Sequence, residues 1–278
     1  MRVGFIGLGS QGAPMARRIV EGGYHTTLWA RRPESLEPYA DTAAKTAATP
    51  AEMAADSDLV CLCVVGDDDV RQVLAGENGV LAGLAPGGII AIHSTIHPDT
   101  CREVAELAAA QGVSVIDAPV SGGSPAAEAG TLLVMVGGDE DIVEKCRPVF
   151  GTYANPVVHL GPIGSGQVTK ILNNLMFSAN LGAAMSTLTL GEALGVPRDR
   201  MCEVLTQGSA NSRALGSIAM FGGTLDNLAP IAGALLQKDC RHAQSLAQAD
   251  AVDIAPGTIE GAVFSAADAA LTLMDHPR

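Results

Sequence analysis

The sequence predicts a doubly wound α/β domain followed by a long connecting helix and an all-α carboxy-terminal domain. Short apolar runs alternate with helical stretches up to residue 162, which is the βαβ rhythm of a mostly parallel sheet. From residue 163 to 194 the chain has no proline and no strand-like alternation, and no convincing strand follows. We therefore expect a first domain at residues 1–162 and a second at 163–278, beginning with a helix over 163–194.

Each element follows from a local pattern. Several apolar runs are nearly continuous in Val, Ile and Leu, as expected where helices cover both faces of a sheet. The predicted strands lie at residues 2–6, 25–29, 59–65, 89–93, 113–116 and 131–136. Helices are predicted at 13–21, at 100–111 and, after Gly195-Val196-Pro197 ends the long helix, at 198–207, 231–249 and 256–273.

Composition and charge exclude several function classes. The 278 residues carry 17 Lys and Arg against 30 Asp and Glu, a formal net charge of −13, so no broad surface for nucleic acid or an anionic membrane is expected. No run of 18 apolar residues appears, and the first residues do not fit a secretory signal. We expect a cytoplasmic protein with neither a nucleic-acid nor a membrane partner.

The cysteines and histidines do not predict a metal centre. Six cysteines are scattered without C-x-x-C spacing, so we interpret them as reduced and mostly buried thiols. The six histidines form no cluster at ligand spacing and are interpreted as structural or surface residues: His25, His93, His97, His159, His242 and His276. No metal is expected.

The first glycines form a phosphate-binding pattern. Gly7-Leu8-Gly9-Ser10-Gln11-Gly12 follows a predicted strand and opens a predicted helix, the context that gives G-x-G-x-x-G its meaning. One glycine permits a tight turn, one lets the backbone approach a pyrophosphate, and one lets helix and strand pack closely. The helix amino terminus offers free N–H groups to the phosphates, so we expect these six residues to bind a dinucleotide.

The end of the second strand indicates which dinucleotide is bound. An acidic residue there would bind a ribose 2′-hydroxyl, but this chain has Arg31 and Arg32. Guanidinium groups suit a 2′-phosphate through charge-assisted hydrogen bonds. We expect NADP(H) to be preferred, with NAD(H) possible.

Five segments together resemble the β-hydroxyacid dehydrogenases, the family of 3-hydroxyisobutyrate dehydrogenase, tartronate semialdehyde reductase and 4-hydroxybutyrate dehydrogenase-like enzymes. Each is modest evidence alone, but they occur in the family's order along the whole chain. They are the stretch from Gly4 to Ala16, Ser94-Thr95-Ile96-x-Pro98, Asp117-Ala118-Pro119-Val120-Ser121-Gly122-Gly123, Gly166-Gln167-x-x-Lys170-x-x-Asn173-Asn174 and Lys238-Asp239.

The resemblance implies a Rossmann-type first domain and hydride transfer between a nicotinamide and a short 3- or 4-hydroxy acid or its semialdehyde or keto form. It makes Lys170 the acid–base group, and Asn174, one helical turn later, a ligand of the reacting oxygen. The turn at Ser121, Gly122 and Gly123 would hold the substrate carboxylate. Contacts to the cofactor would also come from Thr95, Lys238 and the backbone of Val64 and Val65. A homodimer or homotetramer is expected.

The sequence departs from the family pattern at two places, and two alternative functions stay open. Ile231 stands where family members often have phenylalanine, which puts the substrate pocket in doubt, and Asn173-Asn174 favours 3-hydroxyisobutyrate-like or 4-hydroxybutyrate-like substrates slightly. The alternatives are an imine reductase on the same scaffold, against which Lys170 argues, and a non-catalytic dinucleotide-binding module.

Overall fold

The computed structural model describes residues 1–275, so His276 and the last residues of the predicted second domain lie outside the described part. Two compact units are present, Met1–Lys170 and a second that begins at Ile171. The predicted boundary at 162/163 lies eight residues earlier. The long helix begins just after that position, at Ser165, and runs through the observed boundary.

A six-stranded parallel sheet forms the centre of the first unit. Its spatial order is β3-β2-β1-β4-β5-β6. The strands are β1 Val3–Ile6, β2 Thr26–Trp29, β3 Lys45–Thr46, β4 Leu59–Leu62, β5 Ile89–Ile92 and β6 Ser114–Asp117. The chain moves outward in opposite directions from β1, which creates a topological switch point at the carboxyl ends of β1 and β4, where ligands bind in open α/β sheets.

Three further strands form a separate sheet, and this corrects one prediction. They are β7 Val120–Ser121, β8 Leu132–Val136 and β9 Ala154–His159. The predicted strand at 131–136 is β8, but it pairs antiparallel with β7 and parallel with β9 rather than joining the parallel sheet. The turns at Gly122 and Gly130 reverse the chain, so β8 lies in a different sheet from β6.

Helices cover both faces of the parallel sheet. They are α1 Gly12–Glu21, α2 Pro50–Ala55, α3 Asp67–Leu74, α4 Val80–Gly83, α5 Pro98–Ala109, α6 Gly123–Ala129 and α7 Glu140–Phe150. Because side chains alternate along a strand, Phe5 and Cys61 enter the core on one face while Ile6 and Leu62 enter the core on the other. Both cores are fully buried, which explains the nearly continuous apolar runs.

The second unit is helical, as predicted. The long helix α8 spans Ser165–Ala193 and is followed by α9 Arg198–Leu205, α10 Arg213–Met220, α11 Ala234–Ala249 and α12 Ile259–Asp275. Between residues 171 and 275 no strand occurs. Helices α8 and α12 lie in close contact at Gly182, where a Cβ would stand 1.9 Å from the carbonyl oxygen of Ala266. The predicted fold class is confirmed.

The helices of the described part do not have the length and apolar composition of a membrane span. Within residues 1–275 none is both long enough and apolar enough to cross a bilayer.

Candidate functional site

The glycine loop has the tight geometry that its spacing predicts. Gly7 has a φ of +99°, and a Cβ there would lie 2.2 Å from the carbonyl oxygen of Cys63. A Cβ on Gly12 would lie 1.9 Å from the carbonyl oxygen of Gly7. Both positions therefore require glycine, the first for its conformation and the second for the close packing of α1 on the loop.

The middle of the loop is open, as a phosphate cradle must be. A Cβ on Gly9 would meet nothing within 4 Å, so space remains above this backbone. Helix α1 begins at Gly12 and has no side-chain cap, so its amino terminus is left for another acceptor. The side-chain amide nitrogen of Gln11 is buried with no hydrogen-bond partner among the described residues. These features fit the pyrophosphate of a dinucleotide.

A cavity of about 410 Å³ extends from this loop at the switch point. It lies at the carboxyl ends of β1, β2 and β4. The lining includes Gly7, Leu8, Gly9, Trp29, Arg31, Arg32, Val64, Val65 and Asp69. The structure thus brings together most of the residues predicted to bind the cofactor from the first unit.

Asp69 is a residue of this cavity that the sequence did not reveal. The Arg31 guanidinium donates to its carboxylate over 2.6 Å and to the Gln72 side chain over 3.3 Å. Arg32 is exposed at the cavity rim. Arg31 and Arg32 therefore reach the predicted place, but a carboxylate from α3 reaches it as well.

Thr95 lies in a loop that follows β5, directly beside the loop at Val64 and Val65. The Val64 N–H donates to the Ser94 hydroxyl over 2.8 Å, and the His97 N–H donates to Asp67 over 2.8 Å. Both ends of the loop are therefore fixed to the segment after β4. Thr95 is half-buried, and the exposed Val65 lines the cavity.

Lys170 is half-buried in α8, whose first turn is held by Asp117 at the end of β6. The Asp117 carboxylate accepts the N–H groups of Gly164 and Gln167 over 2.6 and 2.7 Å. Burial raises the pKa of this carboxyl, and the backbone N–H groups oppose the rise. The helix that carries Lys170 is therefore anchored to the parallel sheet within the first unit.

The predicted carboxylate-binding turn follows Asp117 by four residues. Ser121 ends β7, Gly122 and Gly123 have φ values of +134° and +73°, and α6 begins at Gly123. The turn therefore lies at a helix amino terminus, with a half-buried serine beside it. This arrangement can bind a carboxylate through backbone N–H groups and a hydroxyl.

In the second unit, Asn174 and Lys238 share one partner. The Asn174 side-chain amide donates to Asp239 over 2.5 Å, and the Lys238 ammonium lies 3.0 Å from the other carboxylate oxygen. Asp239 is 2 % exposed, so it is a buried partner of both side chains rather than a surface residue. A carboxylate beside a lysine in a helix looks solvated in sequence, and only the packing of α8 on α11 shows that it is buried. Asn173 is exposed and donates to the Asn174 side chain.

The cysteines are free thiols, and the described histidines are not clustered with other metal-binding side chains. All six cysteines are free thiols, five of them buried. Across residues 1–275, no group of three or more His, Cys, Asp or Glu is arranged to hold a metal ion. His93 is buried between Ala118 and Tyr153, in agreement with a structural role.

Two family models cover nearly the whole chain. Residues 2–161 match the NAD binding domain of 6-phosphogluconate dehydrogenase, and residues 164–276 match the NAD-binding domain of NADP-dependent 3-hydroxyisobutyrate dehydrogenase. The chain belongs to the β-hydroxyacid dehydrogenase family. The resemblance found in the sequence is thereby confirmed, and this β-hydroxyacid dehydrogenase is an NAD(P)-dependent oxidoreductase that acts on hydroxy acids.

Individual relatives agree with the family. The NAD-dependent L-serine dehydrogenase of Pseudomonas aeruginosa is 32% identical over 266 residues, which are 93% of this chain and 89% of that protein. A probable mitochondrial 3-hydroxyisobutyrate dehydrogenase of Dictyostelium discoideum is 34% identical over 75% of this chain and 65% of its own. The structure of Mycobacterium tuberculosis 3-hydroxyisobutyrate dehydrogenase with L-serine superposes with a TM-score of 0.83 at 29% identity, covering 99% of this chain and 95% of the other.

Proposed function

We propose that this β-hydroxyacid dehydrogenase transfers a hydride reversibly between NADP and the alcohol carbon of a short 3- or 4-hydroxy acid, with Lys170 as the acid–base group. The observation that carries the proposal is the anchoring of the Lys170 helix by Asp117 in the unit that also holds the glycine cradle. The substrate class is supported by the names of the relatives, since L-serine and 3-hydroxyisobutyrate both carry a carboxylate and a 3-hydroxyl group.

Each proposed substrate contact uses groups suited to it. The turn at Ser121, Gly122 and Gly123 holds the carboxylate by its N–H groups and hydroxyl. Asn174 binds the reacting oxygen, and its amide is oriented for this by Asp239. Lys238 contacts the cofactor, and Thr95 lies at its nicotinamide end.

Lys170 accepts and donates the proton of the substrate hydroxyl. The bound dinucleotide supplies the hydride acceptor for oxidation and the hydride donor for reduction. In the oxidation, the Lys170 amine accepts the hydroxyl proton as the oxygen becomes a carbonyl; in the reduction, its ammonium donates that proton back. Lys170 is half-buried on α8, and an amine placed at the reacting oxygen can both accept and donate this proton.

The NADP preference rests on Arg31 and Arg32 at the end of β2. Their guanidinium groups line the cavity where the adenosine ribose of a dinucleotide is expected. A 2′-phosphate there would receive charge-assisted hydrogen bonds, which a ribose hydroxyl receives only weakly. NAD(H) remains a possible second cofactor.

We also propose the organisation of the protein. Residues 1–162 serve as the NAD(P)-binding domain, and residues 163–278 as the substrate and oligomerisation domain of a cytoplasmic homodimer or homotetramer. The support for self-association is an exposed apolar group on α8, α9 and the turn between them, where Leu190, Leu194 and Val204 are 60 %, 74 % and 67 % exposed. Monomeric surfaces rarely gather such side chains.

The proposal is tested by assaying the purified protein with L-serine, 3-hydroxyisobutyrate and 4-hydroxybutyrate, each with NADP+ and with NAD+. Lys170→Ala should lower kcat by about 10²- to 10⁴-fold. Lys145→Ala, at an exposed position on α7, is the matched control and should leave kcat unchanged. Equal rates for Lys170→Ala and the wild type would overturn the mechanism. Reduction of a cyclic imine with no turnover of any hydroxy acid would indicate an imine reductase instead.

A further inference from the structure

Gln167 is a buried polar side chain with both ends of its amide engaged on one loop. It is 0 % exposed. Its amide nitrogen donates to the Ser94 carbonyl oxygen over 2.8 Å, and its amide oxygen accepts from the Ile96 N–H over 3.1 Å. The side chain therefore forms hydrogen bonds with the backbone immediately before and immediately after Thr95.

The backbone of Gln167 is fixed as firmly as its side chain. Its N–H donates to Asp117 at the end of β6, as the N–H of Gly164 does. Gln167 thus joins three segments of the first unit: the end of β6, the loop after β5 and the first turn of α8. The Ser94 hydroxyl extends the connection to Val64 after β4.

Lys170 follows Gln167 by three residues on the same helix, so the two side chains leave neighbouring positions on one face. A slip of α8 against the Thr95 loop would break both amide contacts and leave polar groups buried and unpaired. Such a loss is costly in a dry environment, which makes the observed register the strongly preferred one.

We propose that Gln167 is a positioning residue that sets the spacing between Thr95, beside the nicotinamide, and Lys170, at the reacting oxygen. This inference rests on the proposed function, since it requires Lys170 to be the acid–base group. A purely apolar side chain of the same size would fill the space but would not fix the loop to the helix. The role of Gln167 therefore lies in alignment for the chemical step rather than in binding.

The test compares Gln167→Met, which keeps the volume but removes both contacts, with Val104→Ala on α5. Val104 is 2 % exposed in the core, and its apolar side chain forms none of the hydrogen bonds of this network, so its truncation lowers stability without removing them. For each protein we would measure Tm, the dinucleotide Kd from the fluorescence of Trp29, which lines the cofactor cavity, KM and kcat. We would also measure the deuterium isotope effect on kcat, with the label on the alcohol carbon of the substrate.

We expect Gln167→Met to lower kcat by about 10- to 100-fold, because small displacements of reacting groups have effects of this size. Dinucleotide Kd and substrate KM should change much less, and the isotope effect on kcat should increase as hydride transfer becomes slower. Val104→Ala should lower Tm while kcat and the isotope effect stay at wild-type values. If Gln167→Met does not fold, Gln167→Asn, which keeps an amide too short to reach both partners, should show the same pattern.

A folded Gln167 variant with wild-type kcat and isotope effect would overturn the inference, as would a loss confined to Kd, KM or Tm. Lys170→Ala separates this failure from failure of the proposed function. If Lys170→Ala is inactive while the Gln167 variants behave like Val104→Ala, only the positioning role is wrong. If Lys170→Ala is fully active, the proposed function itself fails.

Discussion

Arg31 shows how the role of a single side chain depends on a neighbour distant in sequence. The arginine pair was predictable because it directly follows an apolar strand. Asp69 was not, since no spacing rule shows that the first turn of α3 reaches the end of β2. The same is true of Asp239, whose burial depends on how two helices pack. Residues on a recognised motif were therefore predictable, whereas their partners required the structure.

The pairing of Arg31 with Asp69 leads to a prediction about cofactor affinity. Arg31→Ala should weaken NADPH binding by about tenfold or more while NADH binding changes little, because a charge-assisted contact to the 2′-phosphate is lost. Asp69→Asn should strengthen NADPH binding by about three- to tenfold. The substitution releases Arg31 from its ion pair and removes a negative charge that would repel the 2′-phosphate. Both constants can be measured from the quenching of Trp29 fluorescence.

Asp68→Asn is the matched control for Asp69→Asn. Asp68 lies in the same first turn of α3, but its side chain is fully exposed and its ion pair with Arg71 is 3.6 Å long. Its removal should leave both affinities unchanged. Weaker NADPH binding in Asp69→Asn would show instead that Asp69 orients Arg31 toward the phosphate.

At the scale of elements, predictability followed the strength of the local pattern. Strands β1, β4 and β5 were predicted because they are continuous apolar runs buried on both faces. The two-residue strands β3 and β7 are too short to form a period, and β9 contains Pro156 and half-exposed residues. Helix α10 was also missed, since it is only eight residues long and follows a polar, glycine-containing stretch.

The contact between α1 and the glycine loop predicts two different effects of adding one methyl group. Gly9→Ala should fold normally but weaken dinucleotide binding, because the new Cβ would enter the open cradle. Gly12→Ala should lower the free energy of unfolding by about 1–3 kcal/mol or more, because its Cβ would overlap the Gly7 carbonyl. Thermal unfolding and Trp29 fluorescence would distinguish them; unchanged dinucleotide affinity in Gly9→Ala would contradict the cradle.

The buried His93 connects β5 with the segments after β6 and before β9. Because the Ala118 carbonyl can only accept, Nδ1 donates to it over 2.7 Å, and Nε2 faces the Tyr153 hydroxyl at 3.2 Å. Burial lowers the pKa of His93 to about 4, below its ordinary value of 6.5. The unfolded chain therefore binds a proton at a higher pH than the folded chain does.

This difference predicts a loss of stability on acidification. Above pH 6.5 the histidine is neutral in both states; as the pH falls from 6.5 to 4, the unfolded state is favoured by up to about 3 kcal/mol. His93→Asn should be less stable than the wild type near pH 7, but this difference should shrink toward pH 4. Urea unfolding across this range would measure it, and parallel pH profiles for the two proteins would contradict the assignment.

At the scale of the whole molecule, the order of two units was predictable from the change in sequence rhythm near residue 163. The compact units instead divide after Lys170, because α8 is one continuous helix whose first turns belong to the sheet unit through Asp117 and Gln167. The segment 166–174 therefore begins in one unit and ends in the other. A pattern of apolar residues predicts the long helix, but it does not predict which of its turns belong to each compact unit.

The exposed apolar group on α8, α9 and the turn between them predicts a subunit contact. Leu194→Glu should lower the molar mass in solution, because a charge would be buried against a second copy of the chain. Leu107→Glu, at a single exposed leucine on α5 that is 57 % exposed, is the control and should leave the mass unchanged. Light scattering during gel filtration would measure both, and a monomeric wild-type protein would contradict this prediction.

The central claim is hydride transfer between the alcohol carbon and the nicotinamide with Lys170 moving the proton. The most direct test uses a hydroxy acid, such as L-serine or 3-hydroxyisobutyrate, with deuterium on its alcohol carbon, followed by mass spectrometry of the reduced dinucleotide. We predict that the wild type places the label on the dinucleotide and that Lys170→Ala, although it binds the dinucleotide with unchanged affinity, labels it about 10²- to 10⁴-fold more slowly. A reduced dinucleotide without the label, or equal rates of labelling by the two proteins, would contradict the account.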